Sequence, residues 1–258
     1  MRKAAIARRV VHGLQRLVPR ARNGVTVLAY HLVDGGTDSP VDLSLETFTS
    51  HLDWLVRHAR VVDLDDVDPE GPADQVVLTF DDAYANFHDV IWPLLRAREL
   101  PATLYVPIDY VDGEGACPIR GTDLPACTWD QLQAMADAGL SIGSHTFAHP
   151  DLRSVEGEAL RREIVDSRAF LEERLGHPCP SFCYPRGLVT DGAAAVVTVA
   201  YRYGTVGGGR KLRGKTPPAL VPRISLRREH GVDVLARMVQ QRVWIEEFAA
   251  DRVRQLLA

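Results

Sequence analysis

The stretch 76-VVLTFDDAYANF-87 decides the fold. Apolar and β-favouring residues run straight into two adjacent aspartates, Asp81 and Asp82, and a helical pattern follows within a few residues. A short apolar run bounded in this way reads as a strand buried on both faces, the kind that parallel sheets contain. Working outward, 75–80 is one of eight such runs; the others are 25–30, 60–64, 102–106, 139–143, 180–184, 202–206 and 220–226. Between most of them lie helical patterns at 45–58, 84–98, 128–138, 153–175 and 190–200, with a long terminal one at 231–257. Thr128 and Gln131 have the spacing of a capping box at the start of the third helix. Repeated strand–helix alternation predicts a parallel α/β architecture. A closed or nearly closed (β/α) barrel fits this number of units best, and an open doubly wound sheet is the alternative.

With 258 residues, 46% hydrophobic and 25% charged, the chain suits one large soluble domain. The net charge of −4 does not favour a nucleic-acid partner. Residues 1–24 are set apart as a basic N-terminal segment and 25–258 as the barrel with its C-terminal helix. In that segment Ile6, Val10, Leu14 and Leu17 recur at helical spacing among seven Lys or Arg within the first 22 residues. This is the pattern of a basic amphipathic helix, either solvated or in contact with a membrane surface. Arg8, Arg9 and Arg16 interrupt any signal-peptide core, so a cytoplasmic location is expected, with membrane association as a variant. The four cysteines include no C-x-x-C pair. Within the long loop 107–127, Cys117 and Cys127 flank a polar stretch; they could pair as a disulfide in an oxidising compartment and are expected to be free thiols in a cytoplasmic protein. A loop of that length is expected to form a rim or lid.

In parallel α/β proteins, function collects at the C-terminal ends of strands. Those ends here carry His31, Asp81 and Asp82, the segment 144-SHTFAHPDL-152, and 184-YPRG-187. Adjacent aspartates at a strand end point in different directions, so one can hold a metal while the other stays free as a base. Read alone, the pair could equally cap the helix that follows. His145 and His149 shift the balance, because H-x-x-x-H is a zinc-ligand spacing. A helical version fails, since Thr146 stands where a catalytic glutamate would and Pro150 disfavours helix at His149. A turn carrying two histidines beside one aspartate predicts a three-residue metal site with an open position for water.

The stretches 79-TFDD-82, 144-SHTFAHPDL-152 and 182-FCYPRG-187, in this order, resemble those of the polysaccharide deacetylases of carbohydrate esterase family four, which share the NodB homology domain. The resemblance spans about residues 25–226. It implies a distorted (β/α) barrel of about seven strands and hydrolysis of acetyl groups, mostly N-acetyl, on a sugar or glycan. It implies Asp81 as catalytic base and Asp82, His145 and His149 as ligands of one divalent metal, zinc first, with cobalt or nickel as alternatives. It also places Tyr184, Pro185 and Arg186 at the substrate and oxyanion. Two departures stand out: Cys183 occupies the position of an arginine that orients the base, and 220-LVPRISL-226 lacks the histidine that serves many members as acid. The early segment 27-VLAYHLV-33 resembles the branch acting on poly-β-1,6-N-acetylglucosamine, which implies His31 as the acid instead. Two other readings stay open: hydrolysis of a non-glycan amide or cyclic imide, and a catalytically silent carbohydrate-binding barrel.

Overall fold

The computed structural model describes residues 17–241 and 244–245. The predicted basic helix therefore lies almost wholly outside the described residues. Ten strands follow in chain order: β1 (Thr26–Tyr30), β2 (Leu32–Val33), β3 (Asp42–Leu43), β4 (Arg60–Val61), β5 (Gln75–Phe80), β6 (Thr103–Val106), β7 (Ser141–Ser144), β8 (Ser181–Cys183), β9 (Tyr203–Gly207) and β10 (Val221–Ser225). Seven of them close a ring in the order β1, β5, β6, β7, β8, β9, β10, and β10 returns to β1. Every pairing in the ring is parallel. The predicted distorted (β/α) barrel is thus the observed fold. Its distortion has a local origin. β5 pairs through Gln75 and Val76 with the short β4, then through Thr79 and Phe80 with β6. The run expected at 60–64 is therefore a two-residue strand beside the ring rather than a stave of it.

The strands are short and buried on both faces, as continuous apolar runs demand. Their outer faces pack under helices through Leu28, Phe80, Leu104, Ile142 and Phe182. Helix Leu45–His58 has the predicted bounds, with Ser44 accepting from the Thr47 amide at its start. Helix Trp129–Asp137 opens on the predicted Thr128–Gln131 capping box. Three helical expectations are corrected. The pattern at 84–98 yields helix over 85–96 with a wide π turn at Phe87–Ile91, because the chain first turns through positive φ at Asp82 and Ala83 and bridges Tyr84 to Ala126. The pattern at 153–175 begins at Gly157 and contains a wide π turn at Arg162–Asp166. The helix expected over 231–257, of which residues 246–257 lie outside the described residues, is interrupted after Gln240. Beyond it Gln241 is extended and bridges Arg20, and the Trp244 amide donates to Gly209 O at 2.6 Å. Tertiary docking there overrides local periodicity.

Cys117 and Cys127 are free thiols, as expected. The loop 107–127 is pinned: Tyr110 donates to Leu124 O at 2.5 Å, and Cys117, Ile119 and Leu124 pack on Leu32, Tyr84 and Tyr110. No described helix is long and apolar enough to cross a membrane.

Candidate active site

Parallel closure brings the C-terminal ends of all seven staves to one rim. A cleft of about 300 Å³ opens there, lined by His31, Asp81, Asp82, His145, His149 and Arg186 among others. Pro118 and Ile119 of the long loop form part of its wall, so the loop is a rim as expected.

The adjacent aspartates do face different ways. Neither caps the helix that starts at Ala85, since among the described residues their side-chain oxygens make no hydrogen bond to its amides. Asp82 turns toward the histidines: its Oδ1 lies 3.5 Å from His145 Nε2 and 3.7 Å from His149 Nε2. Its Oδ2 accepts from the Tyr84 hydroxyl at 2.8 Å. Asp82 Oδ1 is buried with no hydrogen-bond partner among the described residues. A buried carboxylate oxygen without a donor is costly unless a cation or proton meets it. His145 Nδ1 lies 2.8 Å from the Cys183 carbonyl, which requires the proton on Nδ1 and leaves the Nε2 lone pair facing Asp82. Burial pushes His145 down to about 3 and His149 to about 4, so both rings are neutral. Burial also pushes Asp82 up to about 6. Two neutral imidazoles and one under-coordinated carboxylate oxygen form a donor set that fits a divalent cation.

A second grouping, Asp81, His145 and Cys183, also brings one potential ligand atom from each within 4.8 Å of the others. It fits a cation poorly, because a guanidinium already occupies its edge. Arg223, from β10, places NH1 2.7 Å from Asp81 Oδ1 and NH2 2.8 Å from both Asp81 Oδ2 and Cys183 Sγ. NH1 also donates to Thr79 Oγ1 at 3.0 Å, and the guanidinium lies 5.4 Å from the Tyr105 ring centre. Burial works against ionising Asp81, yet the Arg223 charge and its hydrogen bonds hold the carboxyl well below the usual range. Cys183 stands where the resemblance implies an arginine that orients the base. The structure puts Arg223 in contact with Asp81 instead, while the nearest described carboxylate to Arg186 is Asp151, at 3.8 Å. The available signal was a charged residue inside the apolar strand 220-LVPRISL-226.

His31 stands at the end of β1 with Nε2 3.7 Å from Asp81 Oδ2, and its side chain is 20% exposed. The structure therefore brings His31, Asp81, Asp82, His145 and His149 together. The predicted oxyanion segment is only partly assembled there. Tyr184 is fully buried against Phe182, and its amide bonds to Thr205 O. Pro185 has no N–H, so Arg186 is the remaining amide donor of the three. Arg186 has φ of 59°, which a non-glycine residue adopts only under constraint. Five of the seven described non-glycine residues with positive φ are Asp82, Ala83, Thr146, His149 and Arg186. Backbone strain is thus gathered at this rim, as it is at functional sites generally.

One positioning residue had no sequence signal. The π turn at Arg162–Asp166 directs Glu163 under the histidine loop, where its Oε2 accepts from the Phe147 and Ala148 amides at 2.9 and 3.0 Å. Inserted π turns often serve functional sites in this way. Replacing Glu163 by alanine should weaken divalent-metal affinity about 10–100-fold, the usual cost of losing such outer support. Titration of the stripped protein with zinc or cobalt measures this, and unchanged affinity would remove Glu163 from the account.

Fold and site together define a (β/α)-barrel protein with a two-histidine, one-aspartate grouping beside a second, arginine-paired aspartate. The chain belongs to the polysaccharide deacetylase family, whose model matches residues 68–204, more than half of it. It is 24% identical over 170 residues to a protein of Bacillus subtilis named putative polysaccharide deacetylase YxkH, an alignment covering 62% of this chain and 56% of that one. The chain thus spans little more than half the length of that relative. Among solved structures, the deacetylase PplD of Streptococcus pyogenes superposes with a TM-score of 0.72 at 19% identity, over 85% of this chain and 99% of that one. IcaB from Ammonifex degensii superposes with a TM-score of 0.68 at 24% identity, over 84% and 97%. These likenesses concern the fold.

Proposed function

We propose that the protein is a metal-dependent deacetylase that hydrolyses acetyl groups, chiefly N-acetyl, on a sugar or glycan. Membership of the polysaccharide deacetylase family supports the reaction class. The observation that carries the metal dependence is the partnerless Asp82 Oδ1 flanked by the Nε2 atoms of His145 and His149. A divalent cation, zinc in first place, held by these three residues would polarise the acetyl carbonyl and acidify the attacking water. Asp81 takes the proton from that water, and Arg223 holds Asp81 in place and ionised. His31, on the far side of Asp81, gives a proton to the leaving amine, a task suited to imidazole near neutrality. The Arg186 amide at the rim donates to the oxyanion that develops as the carbonyl is attacked.

The pair of close hydrogen bonds that Arg223 donates to Asp81 favours a second assignment of protons. A carboxylate held so firmly ionised is a weak base, and general bases work best with a pKa near the operating pH. In that variant Asp81 only orients His31, and His31 both accepts and donates. The two assignments separate by mutation: under the second, His31→Ala loses more turnover than Asp81→Asn.

Metal content tests the proposal. Elemental analysis after zinc reloading should give about one ion per chain, and His145→Ala should lose it. A reloaded wild-type protein without metal would leave a silent carbohydrate-binding barrel as the better reading.

A further inference from the structure

We infer that the substrate carries a phosphate group on, or next to, the acetylated sugar, seated between Arg186 and Arg227. This inference rests on the proposed reading of the cleft as a glycan site.

The charges in the cleft carry the argument. Among the described residues, its only acidic lining residues are the buried Asp81 and Asp82. Asp81 is neutralised by Arg223, and Asp82 belongs to the histidine grouping. Two further arginines line the same cleft, Arg186 after β8 and Arg227 just beyond β10. Among the described residues, Arg186 has no carboxylate nearer than Asp151 at 3.8 Å, a group already held by Arg153 at 2.7 Å. No described carboxylate lies within ion-pair range of the partly buried Arg227. This local excess of positive charge runs against the net charge of −4 on the whole chain.

The wall between the two arginines is also shaped for close approach. β9 lies between β8 and β10, and its last residue is Gly207. Gly187 packs against it so closely that a Cβ there would stand 2.7 Å from the Gly207 nitrogen, and both glycines line the cleft. The strand order puts Arg186 and Gly187 after β8, Gly207 at the end of β9, and Ser225 and Arg227 at and beyond the end of β10, so the two arginines line the cleft on either side of the glycine pair. Guanidinium forks match the oxygens of phosphate, and two of them suit its charge better than that of a single neutral sugar hydroxyl. The field of such a cleft also steers anions toward it.

Calorimetric binding to the full-length protein tests this without reliance on turnover. The probes are N-acetylglucosamine, its 1-phosphate, and the methyl diester of that phosphate. The 1-phosphate should bind at least about tenfold tighter than the neutral sugar at low salt, the size of one or two charge-assisted hydrogen bonds. Higher salt should erode the preference. Arg227→Gln should remove part of it while neutral-sugar binding and metal content stay as in the wild type, and adding Arg186→Gln should remove nearly all of it with metal content unchanged. The metal content of the variants separates loss of the arginines from loss of the ion. Equal binding of the diester would assign the site to a phosphodiester-linked glycan, and tighter binding of the monoester to a free sugar phosphate. No preference for either phosphorylated probe, or a preference that survives the double variant, overturns the inference. Acetate release from a neutral acetylated sugar, with no phosphate preference, would sink the inference and leave the deacetylase reading standing. A phosphate preference in a protein that releases no acetate would do the reverse.

Discussion

Asp81→Asn should lower turnover about a thousandfold while leaving the metal in place. The magnitude is that of removing a positioned general base. The retained metal follows from geometry, because the partnerless oxygen between the two histidines belongs to Asp82, and Asp81 faces Arg223 and His31 instead. Asp82→Ala should do the opposite first, releasing the ion and losing activity as a consequence. Steady-state rates with metal analysis on the same preparations measure both. Loss of metal from Asp81→Asn would mean that the two aspartates have exchanged roles. Near-normal turnover would remove Asp81 from the chemistry altogether. A loss smaller than that of His31→Ala would select the assignment in which His31 carries the proton both ways.

Arg223→Met should destabilise the protein by about 3–5 kcal/mol and lower turnover at least about a hundredfold. The stability loss is the usual result of removing one partner of a buried pair, which strands the other charge. Arg223 and Asp81 side chains are each only 6% exposed, so water cannot take over. The turnover loss follows because burial then acts on Asp81 with its main counter-charge gone, favouring its protonated form and freeing its orientation. The control is Arg223→Met/Asp81→Asn. With no charge left to strand, the double variant should recover more than half of the lost stability, though no activity. Denaturant midpoints of the four proteins give the coupling directly. Additive losses would mean that Arg223 acts through packing against Tyr105 and Thr79 rather than through Asp81.

The contrast between these residues shows what a sequence carries. Asp81, Asp82, His145 and His149 lie in short motifs at strand ends, and the run 75-QVVLTF-80 marks its own strand by apolarity alone. Their arrangement on one rim follows from parallel topology without further information. Arg223 depends on a contact 142 residues away, between β10 and β5, with β1 closing the ring between them. Its local sign is a charge inside an apolar strand, and the partner of that charge is set only when the barrel closes. Glu163 was hidden for a different reason: a regular helix would have aimed it elsewhere, and the π turn that redirects it leaves no mark in the periodicity. The same limit explains the terminal helix. Apolar spacing continues past Gln240, but the extended Gln241 and the docking of Trp244 onto Gly209 and beside His230 break the helix there.

Tyr184 is the converse case. Its motif placed it at the substrate, yet the alternation of side chains along β8 fixes which residues face inward. Cys183 points into the barrel toward Arg223, so Tyr184 points out into the core against Phe182 and contributes to the site only through the turn that follows it. Motif membership located the segment, and strand geometry decided which of its atoms reach the cleft.

The central claim is that the protein removes acetyl groups from a sugar by a metal-dependent reaction. The most direct measurement is acetate release from N-acetylglucosamine oligomers by the purified protein as isolated, after chelation, and after reloading with zinc or cobalt. The account predicts release that chelation abolishes and one equivalent of metal restores, with Asp81→Asn inactive at full metal occupancy. Release that is indifferent to chelation, or no release of acetate from any acetylated sugar by protein with full metal occupancy, would contradict it.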